Sequence, residues 1–442
     1  MPVALTPPEP ERSMGLRHYY SATDGTGGRL KGSPEHFEVR EISAFPRPSE
    51  DGGFTILRIE STMREQHALV AEMGRALGVG PGAIAWAGTK DRRAVTEQLF
   101  SVHAVDLPLD RLALPGLRVL DAYRSRTGLV LGHHYGNSFR IRVDEVDLPG
   151  GELTERLGRT LEVLRGAGGF PNYFGLQRFG EVRPVTHLVG RALLRGEVAD
   201  AVETYISAQL GEESGPGAVA RAAYREHRDP ARALREFPPA FQFERRMLEH
   251  LARGHTPERA LRALPLELRI LFIHAYQAWL FNEYLSGRIE RGLSLTEPLV
   301  GDTVLRVARD GTVPGTGSVP VAEDNLPELR ELVARRRGRV AGPLVGYASG
   351  RPRGLTAELL GPLLARDGIT VDSFQLPATP EIASKGLWRP LLVEMPPVAW
   401  TTEASGVGTD RRAYRLAFAL PKGAYATVLI RELTKSGATT AS

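Results

Sequence analysis

The first 180 residues read as strands with a few helices. In "HFEVREI", Phe37, Val39 and Glu41 alternate with Glu38, Arg40 and Ile42. That period of two marks a strand and places Phe37 and Glu41 on one face. "FTILRIE" (54–60) predicts a second strand. A helix is expected over 62–77, with Leu69, Met73 and Leu77 four apart on one face and Ser61 as its N-cap. "AIAWAG" (83–88) and "AVTEQLFSVHAV" (94–105) predict two more strands, joined by the charged "TKDRR". In "NSFRIRVDEV" (137–146) Asn137, Phe139, Ile141 and Val143 point one way, Arg140 and Arg142 the other. From about 181 the texture changes to helices rich in Arg, Ala, Leu and Glu. The longest, near 267–289, is apolar nearly all round and is therefore expected to be buried. Residues 298–325 are Pro/Gly-rich and strand-like, 326–339 predict a helix, and 413–435 read strand, tight turn, helix. A strand–helix unit after a helical middle predicts an α+β fold in which the middle is inserted between two parts of one sheet domain.

Composition narrows the classes. With 42% hydrophobic and 24% charged residues the 442-residue chain has an ordinary globular make-up. No apolar run reaches the roughly 18 residues of a membrane span. The opening "MPVALTPPEPERSMG" has no signal pattern, and residues 1–14 read as a flexible leader. The chain has no Cys, which removes disulfides, thiolate metal sites and Cys nucleophiles and fits a cytoplasmic protein. A net charge of +4 and a pI of about 9.3 point mildly to an anionic partner. Only five of the 56 basic residues are Lys: Lys31, Lys90, Lys385, Lys422 and Lys435. A Lys retained in an Arg-dominated chain marks a place for a compact ammonium. That reading is favoured for Lys31 and Lys90; chance survival is favoured for Lys435.

Most motifs are weak. "GTGG" (25–28) and "GVGPG" (78–82) lack the strand–loop–helix setting of a phosphate cradle. His133 with His134, and His250 with His255, lack helical zinc spacing, so no metal is assigned. The Arg run at 335–339 suits a helix C-terminus as well as a phosphate. "AGTKDRRAVTEQ" (87–98) stands out. There Asp91 lies between Lys90 and the pair Arg92 and Arg93. Cations on both sides favour the ionised carboxylate, which suits a nucleophile better than a general acid. Taken alone, a solvated charged loop explains it equally well. Phe37, Phe139 and Tyr425 stand beside turns or polar residues, and Asn137 shares a strand face with Phe139. A ring to sandwich a base and an amide to read its edge is how proteins hold an unstacked nucleotide. Core packing is the plainer explanation for each aromatic singly.

"GRLKGSPEHFEVREI", "AGTKDRRAVTEQ", "GNSF", "PNYFGLQRFG" (171–180), "HAYQAWLFN" (274–282) and "LPKGAYATVLIRELTK" (420–435) occur in that order. Together they resemble the tRNA pseudouridine synthase D (TruD) family over about residues 15–435, in its archaeal rather than bacterial form. The resemblance implies a pseudouridine-synthase catalytic domain, a mixed and largely antiparallel sheet with flanking helices, over 15–180 and 387–442. An α/β TRUD insertion domain would occupy 181–386. It implies isomerisation of uridine to pseudouridine in tRNA, typically uridine 13 of the D arm, with no cofactor and no metal. Asp91 falls on the catalytic aspartate; Phe37, Asn137 and Tyr425 on nucleotide-contacting positions; Phe139 on an aromatic beside them; Lys31 on a basic position of the site. Trp388 stands where an Arg often does, which removes the charge an Arg would offer a phosphate there. Tyr425 stands where bacterial members can carry Phe, and Tyr135 where a Lys can occur.

The reaction breaks N1–C1′, turns the freed uracil and rejoins it through C5. The target must leave the stack, at a cost of a few kcal/mol, offset by stacking of roughly 1–3 kcal/mol per base. Asp91 is expected to attack C1′ or to help deprotonate the sugar, with Lys31 orienting it and Lys90 assisting. Glu41 is expected to serve structurally or to pair with a lysine. The expected partner is tRNA, with no membrane, and a monomer is favoured. A silent tRNA-binding factor is the main rival and a phosphoryl-transfer enzyme a distant one.

Overall fold

The computed structural model describes the chain except residues 1–5, 31, 92, 181, 211–212, 309–310, 314–316, 407–409 and 437–442. It divides into two compact units, Thr23–Gly166 with Glu394–Ser442, and Met1–Ala22 with Ala167–Val393.

The first unit begins with β1 (Arg29–Leu30), β2 (Phe37–Ile42) and β3 (Phe54–Thr62). Then come α1 (Gln66–Leu77), β4 (Ile84–Trp86), β5 (Val95–Val102), β6 (Leu117–Ser125), β7 (Gly136–Val146) and α2 (Gly150–Gly166). The helix starts later than its periodicity suggests. Glu65, not Ser61, is the N-cap, accepting from His67 N at 3.1 Å and Ala68 N at 2.8 Å. Ser61 remains in β3, its hydroxyl 2.9 Å from that of Thr96 on β5. The apolar face of α1 buries Leu69, Val70, Met73 and Leu77 against Leu57, Ile59, Phe100 and Val102 of the strands. Burial of each such side chain stabilises by about 1.5–3 kcal/mol.

The second unit holds β8 (Gly169–Pro171), α3 (Thr186–Leu194), α4 (Val198–Ser207), α5 (Pro216–His227), α6 (Pro230–Glu236), α7 (Gln242–Ala252) and α8 (Pro257–Arg262). Its spine is α9 (Leu266–Glu290), buried on nearly every side as its all-round apolarity requires. After it come β9 (Thr303–Arg306), β10 (Ser318–Pro320), α10 (Leu326–Ala334), β11 (Gly338–Leu344), α11 (Gly354–Asp367), β12 (Leu387–Pro390) and β13 (Leu392–Glu394). Four of the strands form an antiparallel sheet in the order β10-β9-β11-β12. The helix expected over 326–339 stops at Ala334, because Arg336 takes a φ of +58° and Gly338 opens β11.

Two expectations change in this unit. The described part of the presumed leader is anchored. Met14 is fully buried, and α9 donates to it from Trp279 Nε1 (Ser13 O, 3.2 Å), Asn282 Nδ2 (Met14 O, 2.9 Å) and Ser286 Oγ (Gly15 O, 2.6 Å). The motif "NYFGLQRFG" also belongs here rather than with the sheet. Asn282 accepts from Phe174 N at 2.8 Å and donates to Phe174 O at 3.1 Å, and the Tyr173 and Ser286 hydroxyls are 2.8 Å apart. Those bonds draw the unit boundary back to 166/167 from the expected 180/181, and the second boundary falls at 393/394 rather than 386/387. Trp388 lies on β12 opposite Pro343. Its neighbour Arg389 turns inward, donating to Asn172 O at 3.1 Å and Asn172 Oδ1 at 2.5 Å.

The chain then returns with β14 (Ala399–Ala404), β15 (Arg412–Pro421) and α12 (Ala426–Thr434). These complete the sheet of the first unit, ordered β14-β15-β7-β2-β5-β3-β6, with β1 on β7 and β4 on β5. Within this sheet β2 and β5 run parallel and the other described pairs antiparallel. The fold is thus α+β with a mixed, largely antiparallel sheet. Among the described residues no helix is long and apolar enough to cross a membrane.

Candidate active site

One face of the first unit's sheet is buried, and its pairing registers set side chains in rows across the strands. Phe418, Phe139 and Val39 form one row, continued by Thr96 and Ser61. Leu420, Asn137 and Glu41 form the next. One step beyond the Arg40–Glu97 pairing, the parallel register sets Glu41 beside Gln98. Neighbours in a row are about 5 Å apart, and successive rows on one face about 7 Å. An aromatic row therefore borders a polar one. In the first, Phe139 stacks on Phe418 with centroids 5.5 Å apart and meets Phe37 edge-on at 6.2 Å. Gly136, before Asn137, permits the close approach of β7 and β15: a Cβ there would lie 2.1 Å from Leu420 O.

The charged stretch singled out in the sequence joins β4 to β5, and both ends are pinned. Gly132 N donates to Ala87 O at 2.7 Å and Met63 N to Ala94 O at 3.3 Å. Within it Lys90 Nζ reaches Glu41 Oε2 at 2.7 Å, and the two side chains are 5% and 1% exposed. This anchors the loop to the polar row immediately before Asp91. Removing two charges from water is costly and a single contact repays only part of it. The row is otherwise open. Glu41 Oε1, Asn137 Oδ1 and both amide atoms of Gln98 are buried without a hydrogen-bond partner among the described residues. Each group left so costs about 1–3 kcal/mol.

His134 completes the surroundings of Lys90. A Cβ on Gly88 would lie 3.0 Å from His134 Cε1 and 3.5 Å from Lys90 Nζ, so glycine there leaves room for the imidazole to pack close to the loop. Burial, then the Lys90 ammonium, holds the imidazole below its usual range; Glu41 opposes this and Lys422 adds to it. A neutral ring therefore adjoins the ion pair at neutral pH. Lys422, in the turn after β15, donates its backbone N–H to Tyr135 O at 2.9 Å and its ammonium to Gly132 O at 2.7 Å.

The candidates from the sequence are placed as follows. Asp91 is partly buried in the anchored loop, Asn137 partly buried in the polar row, and Tyr425 partly buried at the N-cap of α12. Phe37 and Phe139 are in the inner layer, 2% and 8% exposed. Lys90 binds Glu41, the lysine-pairing role expected for that carboxylate. Lys31, and with it the expected Lys31–Asp91 pairing, lies outside the described residues. Gln98, His134 and Lys422 are not among the site residues expected from the sequence, although Lys422 is one of the five retained lysines. His134 was weighed only as a metal ligand, and among the described residues no group of three metal-ligating side chains occurs. Gln98 had a usable signal, because Thr96 and Gln98 occupy the same strand phase as Phe100 and are polar where a buried face should be apolar.

The model of the tRNA pseudouridine synthase D (TruD) family matches residues 13–433. Archaeal proteins carrying that name are similar along nearly their whole length. One from Methanococcoides burtonii is 34% identical, covering 97% of this chain and 98% of the relative. One from Thermococcus gammatolerans is 38% identical, covering 95% and 97%. A crystal structure of a TruD protein from Methanosarcina mazei superposes with a TM-score of 0.79 at 32% identity, covering 98% of this chain and 99% of that one. The chain belongs to the tRNA pseudouridine synthase D family, a family of isomerases.

Proposed function

We propose that this chain forms pseudouridine in tRNA, at uridine 13 of the D arm, with Asp91 as the nucleophile and without a cofactor. The observation that carries the reading is the Lys90–Glu41 pair, which fixes the loop bearing Asp91 beside the polar row. Asp91 attacks C1′, or assists loss of a sugar proton, and the N1–C1′ bond breaks. The freed uracil turns and C5 bonds to C1′ as the Asp91–C1′ bond breaks or, on the other route, as the sugar proton is returned; the hydrogen on C5 leaves to solvent while N1 takes up a proton. Reactant and product are isomers, so the atoms balance with no co-reactant. Phe139, Phe37 and Tyr425 supply apolar contact to the flipped nucleotide and Asn137 an amide to its edge. Excluding water protects the intermediate, because hydrolysis would leave an abasic site. Lys90 acts through Glu41 to hold the loop, and Lys31 is proposed to orient Asp91. The test is tritium release from tRNA carrying 5-tritiated uridine, with pseudouridine mapped at position 13. Release without modification at position 13 would refute the site assignment, and no release would refute the activity.

A further inference from the structure

We propose that Gln98 is a base-contacting residue and that Asn137, Glu41 and Gln98 together hold the released uracil through its turn. The inference rests on the function proposed above. Gln98 is 3% exposed, and neither Oε1 nor Nε2 has a hydrogen-bond partner among the described residues. The β2–β5 pairing ends at Arg40 and Glu97, and continuing its register by one residue sets Gln98 next to Glu41, which is itself paired with Asn137. Glu41 Oε1 and Asn137 Oδ1 are open in the same way. A lone orphaned amide is an oddity, but two amides and a carboxylate with open atoms on adjacent strands form a receptor.

The row fits one chemistry. An amide, a carboxylate and an amide can present donor, acceptor and donor in line; a half-turn about the last side-chain torsion lets Asn137 offer either of its atoms. Uracil's O2, N3–H and O4 run acceptor, donor, acceptor along one edge. Exchanging N1 for C5 at the sugar is a half-turn about the N3–C6 axis. That motion leaves N3–H where it was and swaps O2 with O4, so the edge offers the same pattern before and after. A donor–acceptor–donor row therefore holds the base in both orientations, with Glu41 facing N3–H and the amides of Asn137 and Gln98 facing the two carbonyls. Lys90, bonded to the other oxygen of Glu41, keeps that carboxylate in place.

The test uses full-length protein and Gln98→Leu, which removes the amide at similar volume. Melting temperature, tRNA affinity and single-turnover release of 5-tritium are measured. The melting temperature should hold or rise, because an orphaned buried amide is removed, and tRNA affinity should stay within about twofold. Tritium release should slow by about 10²-fold. A second arm replaces the target by 5-tritiated 4-thiouridine, whose sulfur is a weak acceptor. This should slow the wild type by about tenfold and add less than that factor to the Gln98→Leu defect, because position 4 faces Gln98 in one orientation of the base and Asn137 in the other, so the two changes share one of two contacts. Wild-type release by Gln98→Leu overturns the inference alone. So do fully multiplicative effects of the variant and the 4-thio target, the signature of a purely structural role. Wild-type protein that releases no tritium at all overturns the proposed function as well.

Discussion

In the helical unit, Arg288 and Asp302 are both 0% exposed. The guanidinium donates to the two carboxylate oxygens at 2.5 and 3.1 Å and to Ser294 O at 2.7 Å, while Leu299 N donates to Asp302 Oδ2 at 2.9 Å. Among the polar side-chain atoms of this pair, Arg288 Nε alone is without a partner among the described residues. In the sheet unit, Lys90 and Glu41 are nearly as deep but share one contact, and the polar atoms beside them are open. The difference teaches how to separate two kinds of buried charge. A pair that holds a fold together closes its own hydrogen bonds, whereas a row that awaits a substrate keeps some unmade.

The contrast can be broken most strongly at Arg288. Arg288→Met leaves Asp302 buried and unpaired, and should cost about 3–5 kcal/mol in urea unfolding. Adding Asp302→Leu should return much of that loss, short of the orphaned Leu299 N–H. Lys90→Met should show the opposite balance. Its melting temperature should fall less than that of Arg288→Met, because one contact is lost and not several, but single-turnover tritium release should slow by about 10²-fold through the loosened loop. If Lys90→Met loses stability and keeps its rate, the two pairs are of one kind.

Acid sharpens the comparison at a smaller scale. His187 in the helical unit is held neutral down to about 3 by burial, with Arg191 adding to the effect, and His274 down to about 4 by burial and Arg178. The unfolded chain takes up these protons near 6.5, so each histidine withdraws stability as pH falls from 6.5 toward its folded value. At pH 5 that amounts to about 2 kcal/mol for His187. Unfolding at pH 7.5 and pH 5 should show the loss, and His187→Gln should reduce it by that amount; an unchanged loss would place acid sensitivity elsewhere. The smallest effect is expected at Tyr425, where bacterial relatives can carry Phe. Tyr425→Phe should change tritium release by less than about threefold, the scale of one neutral hydrogen bond, and a larger drop would give the hydroxyl a direct role.

The alternation in 37–42 and 137–143 made the buried face legible, because a period of two depends only on local pleating. Asp91 and Lys90 were legible from charge in a chain that otherwise uses Arg. What stayed hidden depends on register. Glu41 and Gln98 share a face just past the Arg40–Glu97 end of a parallel pairing between strands that are not adjacent in sequence, and no local pattern carries that information. The compact units divide at 166/167 rather than where the texture changes for a related reason: the bonds from Asn282 to Phe174 bind segments distant in sequence. Ser61 lost the cap to Glu65 because its hydroxyl found Thr96 across the sheet.

The account turns on Asp91. The most direct measurement is release of tritium from 5-tritiated tRNA by Asp91→Asn, with tRNA binding measured on the same protein. The expected result is wild-type affinity with no release above background. Release at the wild-type rate would remove Asp91 from the chemistry and leave the anchored loop without its proposed purpose.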